Sequence, residues 1–246
     1  QFPQVPELAR ADARKRAITV ANLMSMTSGL ACNDSDDKSP GNEDAMQSQH
    51  KQPDWYRYTL DLPMARAPGA DAAVYCSAGI NLLGGVISHA TGRWLPQLFH
   101  DWIAKPLQIS DYHINLMPDG NAYLAGGIRM RPRDLLKLGQ LYLDGGVWQG
   151  RRVIDAAWVA QSTARHSQFA AGHRYGYAWH LHTFTVNGHP YREYAAEGNG
   201  GQFVIVVPEL DLTVAITAGN YGEFGTWYPF QQWVPHYIIP AIGEAH

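Results

Sequence analysis

Phe203-Val204-Ile205-Val206-Val207-Pro208-Glu209-Leu210-Asp211-Leu212-Thr213-Val214-Ala215-Ile216-Thr217 holds two β-branched runs joined by four residues of turn character. Val, Ile and Thr fit the pleated surface of a sheet, and Pro208-Glu209-Leu210-Asp211 is short enough to turn the chain back on itself, so the stretch predicts an antiparallel hairpin. Residues 175–184, aromatic and alternating, are expected to add a strand. Residues 227–242 read as a closing helix whose regularity Pro235 and Pro240 limit.

Upstream of this strand group the periodicity is helical. Residues 80–91 carry apolar side chains at 80, 82, 83, 86, 87 and 90 and stop at Gly92, the pattern of a strong amphipathic helix with a glycine end. Further helices are predicted over residues 93–104, over 135–143 after Arg131-Pro132-Arg133-Asp134, and over 154–162 with Asp155 as its cap. A short one is predicted around positions 20, 23, 24 and 26, ended by Thr27-Ser28-Gly29. Residues 33–43, with four acidic side chains and Pro40-Gly41, read as an exposed loop. A helical part followed by antiparallel strands and a last helix is an α/β (α+β) fold, an antiparallel sheet flanked by helices with a helical subdomain.

The 246 residues suffice for a sizeable core in one large domain or two small ones, and 46% hydrophobic against 17% charged residues exclude disorder as the main state. No repeat period is visible, so one compact unit is the simplest reading. Nineteen Lys+Arg against twenty-two Asp+Glu give no basic block able to track a phosphate backbone, so nucleic acid is not an expected partner. No apolar run approaches the roughly 20 residues of a membrane span. Gln1-Phe2-Pro3-Gln4-Val5-Pro6 lacks the layout of a signal peptide, and a soluble chain is expected. Cys32 and Cys76 are compatible with one bridge or with two buried thiols.

Two places combine polar groups with backbone freedom. Tyr75-Cys76-Ser77-Ala78-Gly79 lies at a loop-to-helix junction, where a phenol can reach a cleft and relay a proton. Its bland reading is a half-buried aromatic. Ala196-Glu197-Gly198-Asn199-Gly200-Gly201-Gln202 stands before the strand at Phe203, where glycines allow close approach and backbone N–H groups can polarise a carbonyl oxygen. Its bland reading is a glycine-rich turn. A Ser-x-x-Lys pair sets a nucleophilic hydroxyl and an amine one helical turn apart; Ser35/Lys38 and Ser48/Lys51 match by chance-level spacing, the first in the acidic loop and the second amid solvated glutamines. His180 and His182 share a strand face, but no carboxylate stands at a recognisable metal-site spacing, and they read as sheet-surface residues.

Leu23-Met24-Ser25-Met26-Thr27-Ser28-Gly29-Leu30, Tyr75-Cys76-Ser77-Ala78-Gly79-Ile80-Asn81-Leu82-Leu83-Gly84, Arg131-Pro132-Arg133-Asp134-Leu135 and Gly198-Asn199-Gly200-Gly201-Gln202 occur in that order. Together they resemble the beta-lactamase-related serine hydrolases, which include class C beta-lactamases, penicillin-binding DD-peptidases and the esterase-like CubicO group. The similarity runs from about Ile18 to about Ile242. It implies a single beta-lactamase-like domain over residues 1–246, with a helical part over about 18–165 and strands with the closing helix over about 173–242.

The resemblance implies acyl transfer: a serine of a Ser-x-x-Lys helix attacks an ester, amide or beta-lactam carbonyl while lysine and tyrosine handle the proton. Carried over by position, Tyr75 is the general base or proton-relay tyrosine, Ser77, where the family often has asparagine, is a hydrogen-bond partner of substrate or lysine, and the backbone N–H of Asn199 is an oxyanion donor. Glu197, Gly198, Gly200 and Gly201 are implied in substrate binding, with Ala196-Glu197-Gly198 at the Lys-Thr-Gly position. The lysine missing there favours a neutral ester or amide over a carboxylate-bearing beta-lactam. The family's nucleophile helix and first two strands precede the matching stretch. Either another polypeptide or an upstream segment, a complementary N-terminal segment carrying the nucleophile, is therefore expected to supply them, or the chain does not perform the reaction. The rivals are a non-catalytic module binding peptidoglycan-like or acylated ligands, and a relocated Ser48/Lys51 pair. The expected partner is a small-molecule or peptide substrate; no metal or organic cofactor is implied.

Overall fold

The computed structural model describes residues 12–48, 53–169, 172–223 and 225–243. The chain divides into two compact units, residues 1–129 with 166–172 and residues 130–165 with 173–246.

The first unit is mainly helical. A 3-10 turn at Ala13–Ala17 precedes α1 (Val20–Met24), α2 (Glu43–Gln47), α3 (Trp55–Asp61), α4 (Ser77–Thr91) and α5 (Leu95–Phe99), and α1, α2, α3 and α5 all pack on α4. Burial of Ala78, Leu82 and Leu83 along one side of α4 accounts for its central place. Fully buried Asn81 is satisfied there, its side-chain oxygen accepting from the Leu124 N–H at 3.1 Å. α4 starts three residues earlier than its apolar period indicates, because the Cys76 sulfur accepts from the Gly79 N–H at 3.2 Å and caps the first turn. It ends at Gly92 as the sequence predicts. Residues 93–104 are not one regular helix: α5 widens into a π-helical turn at His100–Ala104. A small antiparallel pair, β1 (Tyr112–Ile114) and β2 (Ile128–Met130), lacks a sequence signal.

The expectation of an exposed loop over residues 33–43 is corrected. Positions 35–38 are exposed, but Ser39 and Asn42 are buried. The Asn33 N–H donates to the Ser39 hydroxyl at 2.9 Å, and the Asn42 side chain donates to the Asp34 carbonyl at 3.2 Å. Short polar side chains thus bind nearby backbone and fold the loop inward. The base of the loop is stapled by a Cys32–Cys76 disulfide with a Cα–Cα distance of 5.4 Å, which settles the choice between bridge and thiols.

In the second unit, α6 (Pro132–Leu143) and α7 (Ala156–Ser162) accompany the strands β3 (Arg174–Tyr175), β4 (His180–Val186), β5 (His189–Gly198), β6 (Gln202–Val207) and β7 (Leu212–Ile216). The strands lie in the order β7-β6-β5-β4-β3, each antiparallel to its neighbour. The 203–217 stretch forms the expected hairpin, with Leu212 opposite Val207. β6 is apolar without alternation because both its faces are covered. Phe203, Ile205 and Val207 join Phe184, Val186, Ala195, Phe230, Val234 and Ile239 in one core, while α6 lies on β6 and β7. That approach requires Gly139: a β-carbon there would overlap the Thr213 hydroxyl and press on Val204.

Three expectations change in this unit. The strand over 175–184 is broken, since Ala178 takes a left-handed φ of 59° and the chain turns between β3 and β4. β5 is not foreseen, because its sequence is polar and contains Pro190. The closing helix is π-helical over Pro229–Ile238 before α8 (Ile239–Gly243), as expected where Pro235 removes an N–H from the α ladder.

The disulfide closes a 44-residue separation, so replacing both cysteines by alanine is expected to lower unfolding free energy by about 2–4 kcal/mol. Urea denaturation of the two proteins measures this.

Candidate active site

In the first unit the segment carrying Tyr75 is held at every residue. The Ala73 N–H donates to the Gln168 carbonyl at 2.9 Å, the Val74 N–H to the Met26 carbonyl at 3.0 Å, and the Tyr75 carbonyl accepts from the Asp34 N–H at 3.0 Å. Cys76 is bridged to Cys32, and the Ser77 N–H donates to Asp34 Oδ2 at 2.7 Å. Tyr75 itself is half-buried, with its ring tilted against Phe169 at 6.3 Å. Ser77 is buried, and its hydroxyl also bonds Asp34.

Asp34 is the organising group here, and its place inside an acidic string gave no hint of that. Its Oδ1 accepts from the Glu43 N–H at 3.0 Å. Burial raises its pKa above the ordinary aspartate value, against the lowering effect of the bonds from Ser77 and Glu43. Next to it, Glu43 Oε1 accepts from the Tyr123 hydroxyl at 2.5 Å, and burial raises the Glu43 pKa as well.

In the second unit Glu197 and Gly198 end β5, and Asn199, Gly200 and Gly201 form the turn into β6, with Gly198 opposite Gln202. Asn199 is exposed at the tip. Gly200 and Gly201 have φ of 81° and 91°, which a side chain would resist. The chain itself occupies the space beside them: a β-carbon on Gly200 would lie 2.7 Å from the Tyr221 ring, and one on Gly201 would lie 3.1 Å from Ala218.

The reading of His180 and His182 as sheet-surface residues is corrected. Their side chains are only 16% and 18% exposed, and a carboxylate does stand beside them. β5 pairs with β4 so that His182 faces Glu193 and His180 faces Ala195, which brings Glu197 alongside. His182 Nε2 lies 2.6 Å from Glu197 Oε1, and His180 Nδ1 lies 3.9 Å from Glu197 Oε2. The two imidazoles are parallel with centroids 5.9 Å apart. Burial lowers the His180 pKa despite the opposing charge of Glu197. Glu193 is 4% exposed, and neither carboxylate oxygen has a hydrogen-bond partner of ordinary geometry among the described residues. Burial first, and the Glu197 charge second, push its pKa well up. Two histidines and a glutamate of neighbouring strands are a donor set able to hold a metal ion. Fifteen residues separate His182 from Glu197, so only strand pairing reveals the group.

The sequence profile of the Beta-lactamase family matches residues 4–225. The chain belongs to that family, that of the beta-lactamase-related serine hydrolases. A 97-residue stretch is 34% identical to the 6-aminohexanoate-dimer hydrolase of Paenarthrobacter ureafaciens, covering 39% of this chain and 25% of that protein. The fold is similar to that of a Bacillus anthracis protein described as a candidate 6-aminohexanoate-dimer hydrolase, with a TM-score of 0.74 at 14% identity over 92% of this chain and 61% of that one. It is also similar to the octameric penicillin-binding protein homologue of Pyrococcus abyssi, with a TM-score of 0.68 at 16% identity over 92% of this chain and 56% of that one. The chain thus spans about a quarter of the curated relative and under two thirds of these two structures.

Within this beta-lactamase-family chain neither Ser-x-x-Lys string is seen on a helix. Ser35 and Lys38 lie in turns. Ser48 caps the end of α2, its hydroxyl donating to the Ala45 carbonyl at 3.0 Å, and Lys51 lies outside the described residues. Asp34→Ala is expected to cost about 1–3 kcal/mol of stability, because it leaves the N–H groups of Ser77 and Glu43 without their acceptor; Asp34→Asn, which keeps one amide oxygen, is expected to cost less. A carboxyl whose folded pKa is raised loses stabilising power as pH rises above the ordinary value of 3.8. The asparagine variant should lack that downward slope in unfolding free energy measured from pH 4 to pH 7.

Proposed function

We propose that this chain belongs to a serine hydrolase that works by acyl transfer on an ester or amide carbonyl, with the nucleophile carried outside residues 1–246. The family match over residues 4–225 carries this reading. In it, a serine hydroxyl attacks the carbonyl carbon, the Tyr75 phenol relays the proton towards the leaving group, and the Asn199 N–H stabilises the oxyanion. Water then releases the acyl group from the serine. The firm anchoring of residues 73–77 supports the role of Tyr75, since a proton relay must be held within hydrogen-bond reach of its partner. Ser77, engaged with Asp34, is a positioning residue in this scheme.

The substrate class follows from two further points. Ala196 stands at the lysine position of the Lys-Thr-Gly match, and Glu197 beside it is paired with His182, so this stretch offers no cation for a substrate carboxylate. The relative of 34% identity is named for hydrolysis of a 6-aminohexanoate dimer, whose units an amide joins. A linear amide or ester is therefore proposed in preference to a beta-lactam.

The test uses the protein together with the complementary Ser-x-x-Lys segment that the proposal requires. A fluorophosphonate probe is expected to label one serine of that complementary segment, and Tyr75→Phe is expected to lower kcat by about 100-fold or more with an unchanged Tm. Ser48→Ala should leave turnover intact. Absence of labelling in the folded protein would favour the non-catalytic binding module.

A further inference from the structure

We propose that His180, His182 and Glu197 form a binding site for a divalent transition-metal ion of the zinc type. One ligand atom from each residue lies within 4.8 Å of the others. Ligands of tetrahedral zinc sit about 2.0–2.2 Å from the metal and hence roughly 3.3–3.5 Å from each other. The 2.6 Å His182–Glu197 contact must therefore open by roughly 0.8 Å and the widest separation close by no more than roughly 1.4 Å. Side-chain rotation supplies movements of this size while the strand register stays as it is. Two imidazole nitrogens and one carboxylate are the donors of a borderline cation, whereas calcium or magnesium would call for oxygen ligands throughout. The fourth position falls to water or to His173, whose ring centroid is 5.3 Å from that of His182.

A hydrogen-bonded His182–Glu197 pair alone leaves two features unexplained. His180 stacks parallel to His182 with Nδ1 towards the second oxygen of the same carboxylate. Glu193, opposite His182 in the pairing, is a second carboxyl buried beside the group. A cation seated between the two imidazoles and the Glu197 carboxylate accounts for the convergence of these groups. Such an ion would join β4 to β5 next to Gly198 and Asn199. The proposal is independent of the acyl-transfer reading, because its readout is metal uptake.

The experiment is a calorimetric titration of chelator-treated protein with Zn2+, paired with the visible absorption spectrum after addition of Co2+. The expected result is one equivalent bound at micromolar affinity or better, with the ligand-field bands of four-coordinate Co2+. His182→Ala and Glu197→Gln should each weaken Zn2+ binding by at least about 10- to 100-fold, with folding checked by circular dichroism. His173→Ala should weaken it only if that residue takes the fourth position. The proposal is overturned if the wild-type protein takes up no Zn2+ saturably and gives no Co2+ bands, or if the folded variants bind as the wild type does. Should the variants fail to fold, the wild-type titration and spectrum decide by themselves.

Discussion

Strand register is the constraint on which the second unit depends, and two turns set it. Asn187 and Gly188, with φ of 51° and 79°, pair Val186 with His189, as a two-residue turn of matching twist does. Asn199 to Gly201 then set Gly198 opposite Gln202. A slip of one residue would turn each strand over, because side chains alternate between faces. The face that carries Phe184, Ala195 and Phe203 into the core also carries His182, Glu193 and Glu197. Polar cluster and apolar core therefore stand or fall with the same pairing.

In the first unit a short segment is immobilised by different means. Around Tyr75 the sequence offers no long regular element, so the chain is held by a disulfide, by backbone bonds to Met26 and Gln168, and by the Asp34 carboxylate. Burial disfavours the charge on Asp34, yet N–H groups from two different helices converge on it. A group in that situation is costly to remove and restricts the positions its neighbours can take. Such restraint suits a side chain whose proposed work is to pass a proton over a short distance.

Family membership and local chemistry pull apart at one residue. In the proposed motif match Ala196 stands where the family supplies a cation, and Glu197 beside it meets two histidines of β4. That match would thus set a carboxylate next to the position of an ammonium group. Carboxylate and ammonium groups select opposite charges, so the proposed substrate preference and the proposed ion both rest on this stretch.

By itself the sequence determined those elements whose signal is local. The 203–217 hairpin, the α4 period with its glycine end and the Asp155 cap of α7 each rest on residues close in the chain. So did the family resemblance, which four short strings in order carry. β5 was missed because its residues are polar and include Pro190, although Asn187-Gly188 marks its start. The disulfide, the inward fold of residues 33–43, the control of Ser77 by Asp34 and the meeting of His182 with Glu197 were decided only in three dimensions. Each joins groups far apart in the chain, and the free energy that selects them comes from burial and strand pairing, to which no short window of residues is sensitive.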